Sequence, residues 1–110
     1  MERNQYKGGL IMLKVVKRDG RIVDFNPDRI RTSVANSARD SGIQITDKEL
    51  QLISSSVEKT IRRVRGEDGI TSTYEIRGVV VRALKDMGYR NIAKDFYDHS
   101  KVVREPESKK

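Results

Sequence analysis

The sequence contains no cysteine and a single histidine, His99. Without thiols there is no disulfide, no zinc ribbon and no thiol nucleophile, and one imidazole argues against a zinc site. Long apolar runs are missing too. The longest, Leu10 to Val16, is broken by Lys14 and falls far short of a membrane span or a secretory core, so a cytoplasmic protein is the default expectation. Neither G-x-x-x-x-G-K-[ST] nor G-x-G-x-x-G occurs, which excludes Walker and Rossmann phosphate loops. Asp19, Asp24, Asp28, Glu67 and Asp68 each have a structural role open to them as turn former, cap or loop solvator. No nucleophile–base pair accompanies them, so the chain does not read as an enzyme.

What is present is positive charge. Lys and Arg outnumber Asp and Glu 23 to 16, a net charge of +7, and such a surface attracts nucleic acid, nucleotides or acidic protein surfaces. The 110 residues suffice for one domain, and although apolar residues make up just 35%, they fall in periodic runs, which favours a folded chain. We read residues 1–11 as a flexible N-terminal extension, 12–103 as the domain and 104–110 as a flexible tail.

The domain begins with two strand-like runs around Lys17-Arg18-Asp19-Gly20-Arg21. An Asp-Gly pair between such runs predicts a hairpin with a type I′ turn, with Leu13 and Val15 on one face and Lys14 and Val16 on the other. Asn26 as N-cap and Pro27 at the first helical position open a helix with Ile30, Val34 and Ala38 on one stripe, ending near Gly42. Thr46 and Glu49 form a capping box for a second helix, whose stripe is Leu50, Ile53, Val57, Ile61 and Val64 and whose stop is Gly66. Ile70 and Thr71 are placed to add a short strand beside the hairpin. Ser72 and Glu75 repeat the capping pattern for a third helix through Ile76, Val79, Val80, Ala83, Leu84 and Met87 to Gly88, and a fourth carries Ile92, Ala93, Phe96 and Tyr97.

Lys17, Arg18 and Arg21 make a dense cationic group, which by itself is either a solvated surface or an anion site. Arg29 and Arg31, in the first turns of a helix, oppose its macrodipole, so either the cost is tolerated or an anion reconciles them. Arg62, Arg63 and Arg65 complement the C-terminal dipole of the second helix, a structural role that outweighs a DNA contact. Tyr74, Tyr89, Phe96 and Tyr97 do not interleave with a basic strand, so they read as core and interface rather than base-stacking platforms.

Val15-Val16-Lys17-Arg18-Asp19-Gly20-Arg21 followed by Phe25-Asn26-Pro27-Asp28-Arg29-Ile30 resembles the opening of the ATP-cone domain. Ile70 to Ile76 is similar to the family's segment leading into its third helix, and Tyr89 to Lys101 to its closing helix. The resemblance implies an α+β fold, a four-helix bundle capped by a small two- to three-stranded β-sheet with an N-terminal hairpin. It also implies a regulatory module that binds ATP or dATP, with Mg2+, and works through homo-oligomerisation. In the family the module is fused to ribonucleotide reductase or follows a zinc ribbon in the repressor of the reductase genes.

By the same resemblance Lys17 and Arg18 match cations near phosphates and ribose, and backbone groups around Val15 and Val16 lie along the base. Asn26, Arg29 and Ile30 match the start of the first helix, Thr73 and Arg77 match contact positions on the third, and Lys101 matches a cation on the last. Two features depart from the family. Val23 stands where members often carry an acidic residue, and Arg29 replaces the commoner Lys while Arg77 stands where some members have His, a planar fork that meets phosphate oxygens differently. Two readings therefore stand: a nucleotide-sensing module acting on a reductase subunit or transcription factor, and a small basic nucleic-acid-binding regulator whose binding would be steeply salt-dependent.

Overall fold

The computed structural model describes residues 12–98. His99, Lys101 and the two segments read as extensions lie outside the described residues. In chain order the elements are β1 (Lys14–Val16), β2 (Ile22–Asp24), α1 (Pro27–Asp40), α2 (Asp47–Arg65), β3 (Ile70–Ser72), α3 (Thr73–Asp86) and α4, residues 90–98. Four helices and a three-stranded mixed sheet make an α+β fold, as expected from the sequence.

β1 pairs antiparallel with β2 in the register Lys14↔Asp24, Val15↔Val23 and Val16↔Ile22. Leu13 and Val15 enter the core while Lys14 and Val16 stay half-exposed, so the period-2 reading holds. The turn is not type I′. Gly20 N donates to Lys17 O at 2.9 Å and Lys17 N to Arg21 O at 2.8 Å, which leaves a three-residue loop. Among the described residues positive φ belongs to glycines alone, here Gly20 at 91°, so Asp19 cannot be the second left-handed residue that type I′ demands. The loop is a type I turn closed by a left-handed glycine. Asp19 explains the preference: its carboxylate accepts from Arg21 N at 3.1 Å and from Arg21 Nε at 2.8 Å. These bonds hold its carboxyl below the ordinary value.

β3 joins the other edge of β1, in parallel, with Val15 opposite Thr71, giving the order β2-β1-β3. Gly69 permits this approach. Its carbonyl accepts from Lys14 N at 3.0 Å, and a Cβ at that position would fall onto the backbone carbonyl of Arg65.

α1 starts where Asn26 accepts from Asp28 N at 3.0 Å and Pro27 occupies the first helical position. α2 starts in a two-way capping box between Thr46 and Glu49. Thr46, and after it the Tyr89 hydroxyl, holds the Glu49 carboxyl below its ordinary value. At α3 the box is one-sided. Ser72 accepts from Glu75 N at 3.1 Å, but the Glu75 carboxylate turns to Thr71 Oγ1 at 2.5 Å and to Arg65 at 3.0 Å.

α2 packs against both α1 and α3. The core joins Leu13, Val15 and Phe25 of the hairpin region to Ile30, Val34 and Ala38 of α1 and to Leu50, Ile53, Val57 and Ile61 of α2. Val80, Ala83 and Leu84 of α3 and Ile92 and Ala93 of α4 complete it. Three expected stripe residues stay outside: Val64 is 64% exposed, Met87 41% and Tyr97 42%. Val64 lies in the last turn of a 19-residue helix flanked by 14-residue neighbours, and Met87 is the C-cap of its helix, so helical periodicity runs on where packing has stopped.

Candidate functional site

Strand alternation places Val15, Lys17 and Val23 on the face of the hairpin that looks toward the helices. Beneath that face a cavity of about 430 Å³ opens between the hairpin, the N-terminal ends of α1 and α3, and Phe96 of α4. The volume lies within the range of roughly 300–1,000 Å³ common for small-molecule sites. Its floor is hydrocarbon: Val15, Val23, Phe25, Ile30, Ile76, Val80 and Phe96. Its rim is polar: Lys17, Arg21, Asp24, Asn26, Arg29, Ser33 and Thr73.

The charged groups on this rim differ in how they are neutralised. Arg21 is held by Asp19, and Asp24 accepts from Lys14 Nζ at 2.5 Å. Lys17 and Arg29 have no carboxylate partner among the described residues. Beside them lie two helix N-termini, with Asn26 capping α1 and Thr73 as the first residue of α3. Each terminus adds partial positive charge and backbone N–H groups to a rim that already carries unpaired cations. The cavity thus offers an apolar surface at its base and concentrated positive potential at its mouth.

Of the site residues expected from the sequence, the cavity brings together Val15, Lys17, Asn26, Arg29, Ile30 and Thr73. Val16 falls on the opposite face of β1. Because β1 is the middle strand, flanked by β2 and β3, its backbone groups are engaged in the sheet on both edges. Arg18 sits exposed on the turn, outside the lining. The Arg77 guanidinium stacks on Tyr74 and Tyr97, 5.3 Å and 5.4 Å from the ring centroids, also outside the lining. Lys101 lies outside the described residues.

Lining residues absent from the expected set include Ser33, Ile76, Val80 and Phe96. Helical spacing carries the signal for three of them: Ser33 is one turn beyond Arg29, Ile76 one turn beyond Thr73, and Val80 one turn further.

Three further arginines are committed to structure. Arg31 pairs with Asp28 and donates to the buried Ser54 Oγ at 3.1 Å, tying α1 to α2, which resolves its unfavourable place near a helix N-terminus without a ligand. Arg62 pairs with Glu58 at 3.0 Å and Glu67 at 3.2 Å. Arg65 makes a two-pronged contact with Glu75, and with Thr71 this holds the Glu75 carboxyl below its ordinary value.

An apolar cleft edged by two helix N-termini and by cations with no carboxylate partner among the described residues suits a ligand with an apolar part and an anionic part. The ATP cone domain family matches residues 13–102, and the chain belongs to that family. It is therefore a regulatory nucleotide-binding module, a class that binds ATP or dATP and is regulatory rather than catalytic. No curated protein matches the sequence. Among the described residues no helix is long and apolar enough to cross a membrane.

Proposed function

We propose that this chain senses ATP or dATP in the cavity behind the Lys17 turn, and that occupancy changes its self-association or its hold on a separately encoded partner. A ribonucleotide reductase subunit or a factor controlling reductase genes is the partner class that fits the family. The observation that carries the reading is the pair Lys17 and Arg29, without a carboxylate partner among the described residues, beside the N-termini of α1 and α3. Their ammonium and guanidinium groups receive phosphate oxygens, the Asn26 and Thr73 helix starts add N–H donors, and the base lies on Val15, Ile30 and the rest of the floor. Arg18 acts from outside this lining, as a long-range cation, and Lys101 is retained as a further cation of the proposed site. Mg2+ enters on the phosphates, since no group of three or more His, Asp or Glu side chains converges among the described residues.

The reading of a nucleic-acid-binding protein gains nothing from the basic end of α2, where Arg62 and Arg65 are each paired with carboxylates. Native mass spectrometry of the full chain, with ATP and then dATP, tests the proposal. We expect a mass increment of bound nucleotide and a redistribution among oligomers. A spectrum unchanged by either nucleotide at millimolar concentration defeats it.

A further inference from the structure

We infer that Arg77 is a positioning residue for the cavity, a clasp that closes α4 onto α3 and so holds Phe96 in place as part of the floor. The inference rests on the nucleotide reading above and concerns what keeps that site assembled. Thr73, Ile76 and Val80 line the cavity from α3, whereas Phe96 lines it from α4. The spacing of these two walls depends on how α4 is held. Its first turn is anchored in the core by Ile92 and Ala93, both fully buried, but further along Phe96 is half-buried and Tyr97 exposed. The half that carries the floor residue is the less buried half.

Arg77 spans the two helices at that point. Its guanidinium lies 5.3 Å from the centroid of the Tyr74 ring, three residues back on the same face of α3, and 5.4 Å from that of Tyr97 on α4. Both distances are inside the roughly 6 Å at which a guanidinium and an aromatic face attract. Tyr74 orients the cation within its own helix, and the cation in turn grips the ring of the next one. Arg77 has no carboxylate partner among the described residues and does not line the cavity, so its work there is packing between flat surfaces, which a guanidinium does and an ammonium does less well. Neighbouring residues on a helix point about 100° apart, so Phe96 can face the cavity while Tyr97 faces Arg77. Pinning residue 97 therefore fixes the turn that presents residue 96. If the second half of α4 swings away, Phe96 leaves the floor, and apparent affinity falls with the fraction of molecules that remain closed. Arg77 acts on the ligand without touching it.

Calorimetric titration of the full 110-residue chain with ATP, at low and at raised salt, tests this on Arg77→Ala, Tyr97→Leu, the two combined, and Tyr97→Phe. Arg77→Ala and Tyr97→Leu are each expected to weaken binding about three- to tenfold, and the combined variant no further than the weaker of them, since both open one clasp. Tyr97→Phe keeps the ring and is expected to bind like the wild type. The ratio of affinities at the two salt concentrations should stay within about twofold of the wild-type ratio in Arg77→Ala, because no phosphate contact is lost. Losses that multiply in the combined variant, a salt ratio that collapses in Arg77→Ala, wild-type affinity in either single variant, or a Tyr97→Phe as weak as Tyr97→Leu overturns the inference and leaves the nucleotide reading standing. Failure of the wild-type chain to bind ATP overturns both.

Discussion

The two basic ends of this molecule look alike in composition and differ in wiring. At the C-terminal end of α2, Arg62 and Arg65 are bound to Glu58, Glu67 and Glu75. At the cavity mouth Lys17 and Arg29 face two helix N-termini with no carboxylate partner among the described residues. The first set sits where the helix dipole welcomes cations, the second where it opposes them. A fold spends little to keep cations at the first place. At the second it carries an electrostatic cost that an incoming anion would relieve, and the proposed ligand site rests on this asymmetry more than on the net charge of +7.

Removing the unpaired set should have the largest effect. Lys17→Ala with Arg29→Ala is expected to weaken ATP binding by about 100-fold or more, taking roughly 1.5–3 kcal/mol for each charge-assisted contact. Thermal unfolding without ligand should stay the same or shift slightly upward, because the deleted cations repel helix N-termini. Calorimetry and a melting curve on the same sample check both halves, and a large drop in Tm would break the contrast drawn above.

Gly69→Ala probes whether the two ends are mechanically separate. The added methyl meets the carbonyl of Arg65, and relief of the clash moves the residue whose own carbonyl pairs β3 to β1. Overpacking of this kind costs about 1–3 kcal/mol. Since Thr73 follows β3 directly, nucleotide affinity is expected to fall along with stability, read by denaturant melts and titration.

The smallest effect belongs to the paired set. Arg65→Ala should lower Tm by a few degrees and leave the ATP Kd unchanged within about threefold. Acid should act through the same contact. The Glu75 carboxyl is depressed in the folded state by Arg65 and Thr71, so its contribution is complete above the ordinary value of 4.5 and is lost as pH falls through its lower folded value. Glu75→Gln should therefore flatten the fall of Tm below about pH 4.5, in part only, since Asp19 and Glu49 are held low as well.

Capping chemistry was the most legible part of the sequence. Asn26-Pro27, Thr46 with Glu49, and Ser72 each begin a helix at the residue their side-chain chemistry selects, because an N-cap is a local contract between one side chain and the next turn. Competition between partners was not legible. Glu75 has the spacing of a reciprocal box and prefers Arg65 and Thr71, brought near by the return of the chain after α2. Asp19 has the turn propensity of a type I′ hairpin and is captured by Arg21. Arg77, expected as a ligand contact, has its guanidinium over two tyrosine rings, one of them from a different helix. In the candidate site, Lys17, Asn26 and Arg29 were visible as a cluster of types, whereas Phe96 joins the floor through tertiary packing that no local pattern announces.

β1 occupies the middle of the sheet between a neighbour just across the turn and one that follows α1 and α2. The hairpin can close within microseconds of its own synthesis, but the parallel partner must wait for both intervening helices to fold back. Since the cavity takes walls from the hairpin, from α3 and from Phe96, it is complete only once all three are in place. A nucleotide bound there, as proposed, would stabilise the finished domain and no fragment of it, so its concentration would set the margin by which the complete fold outcompetes partly folded chains.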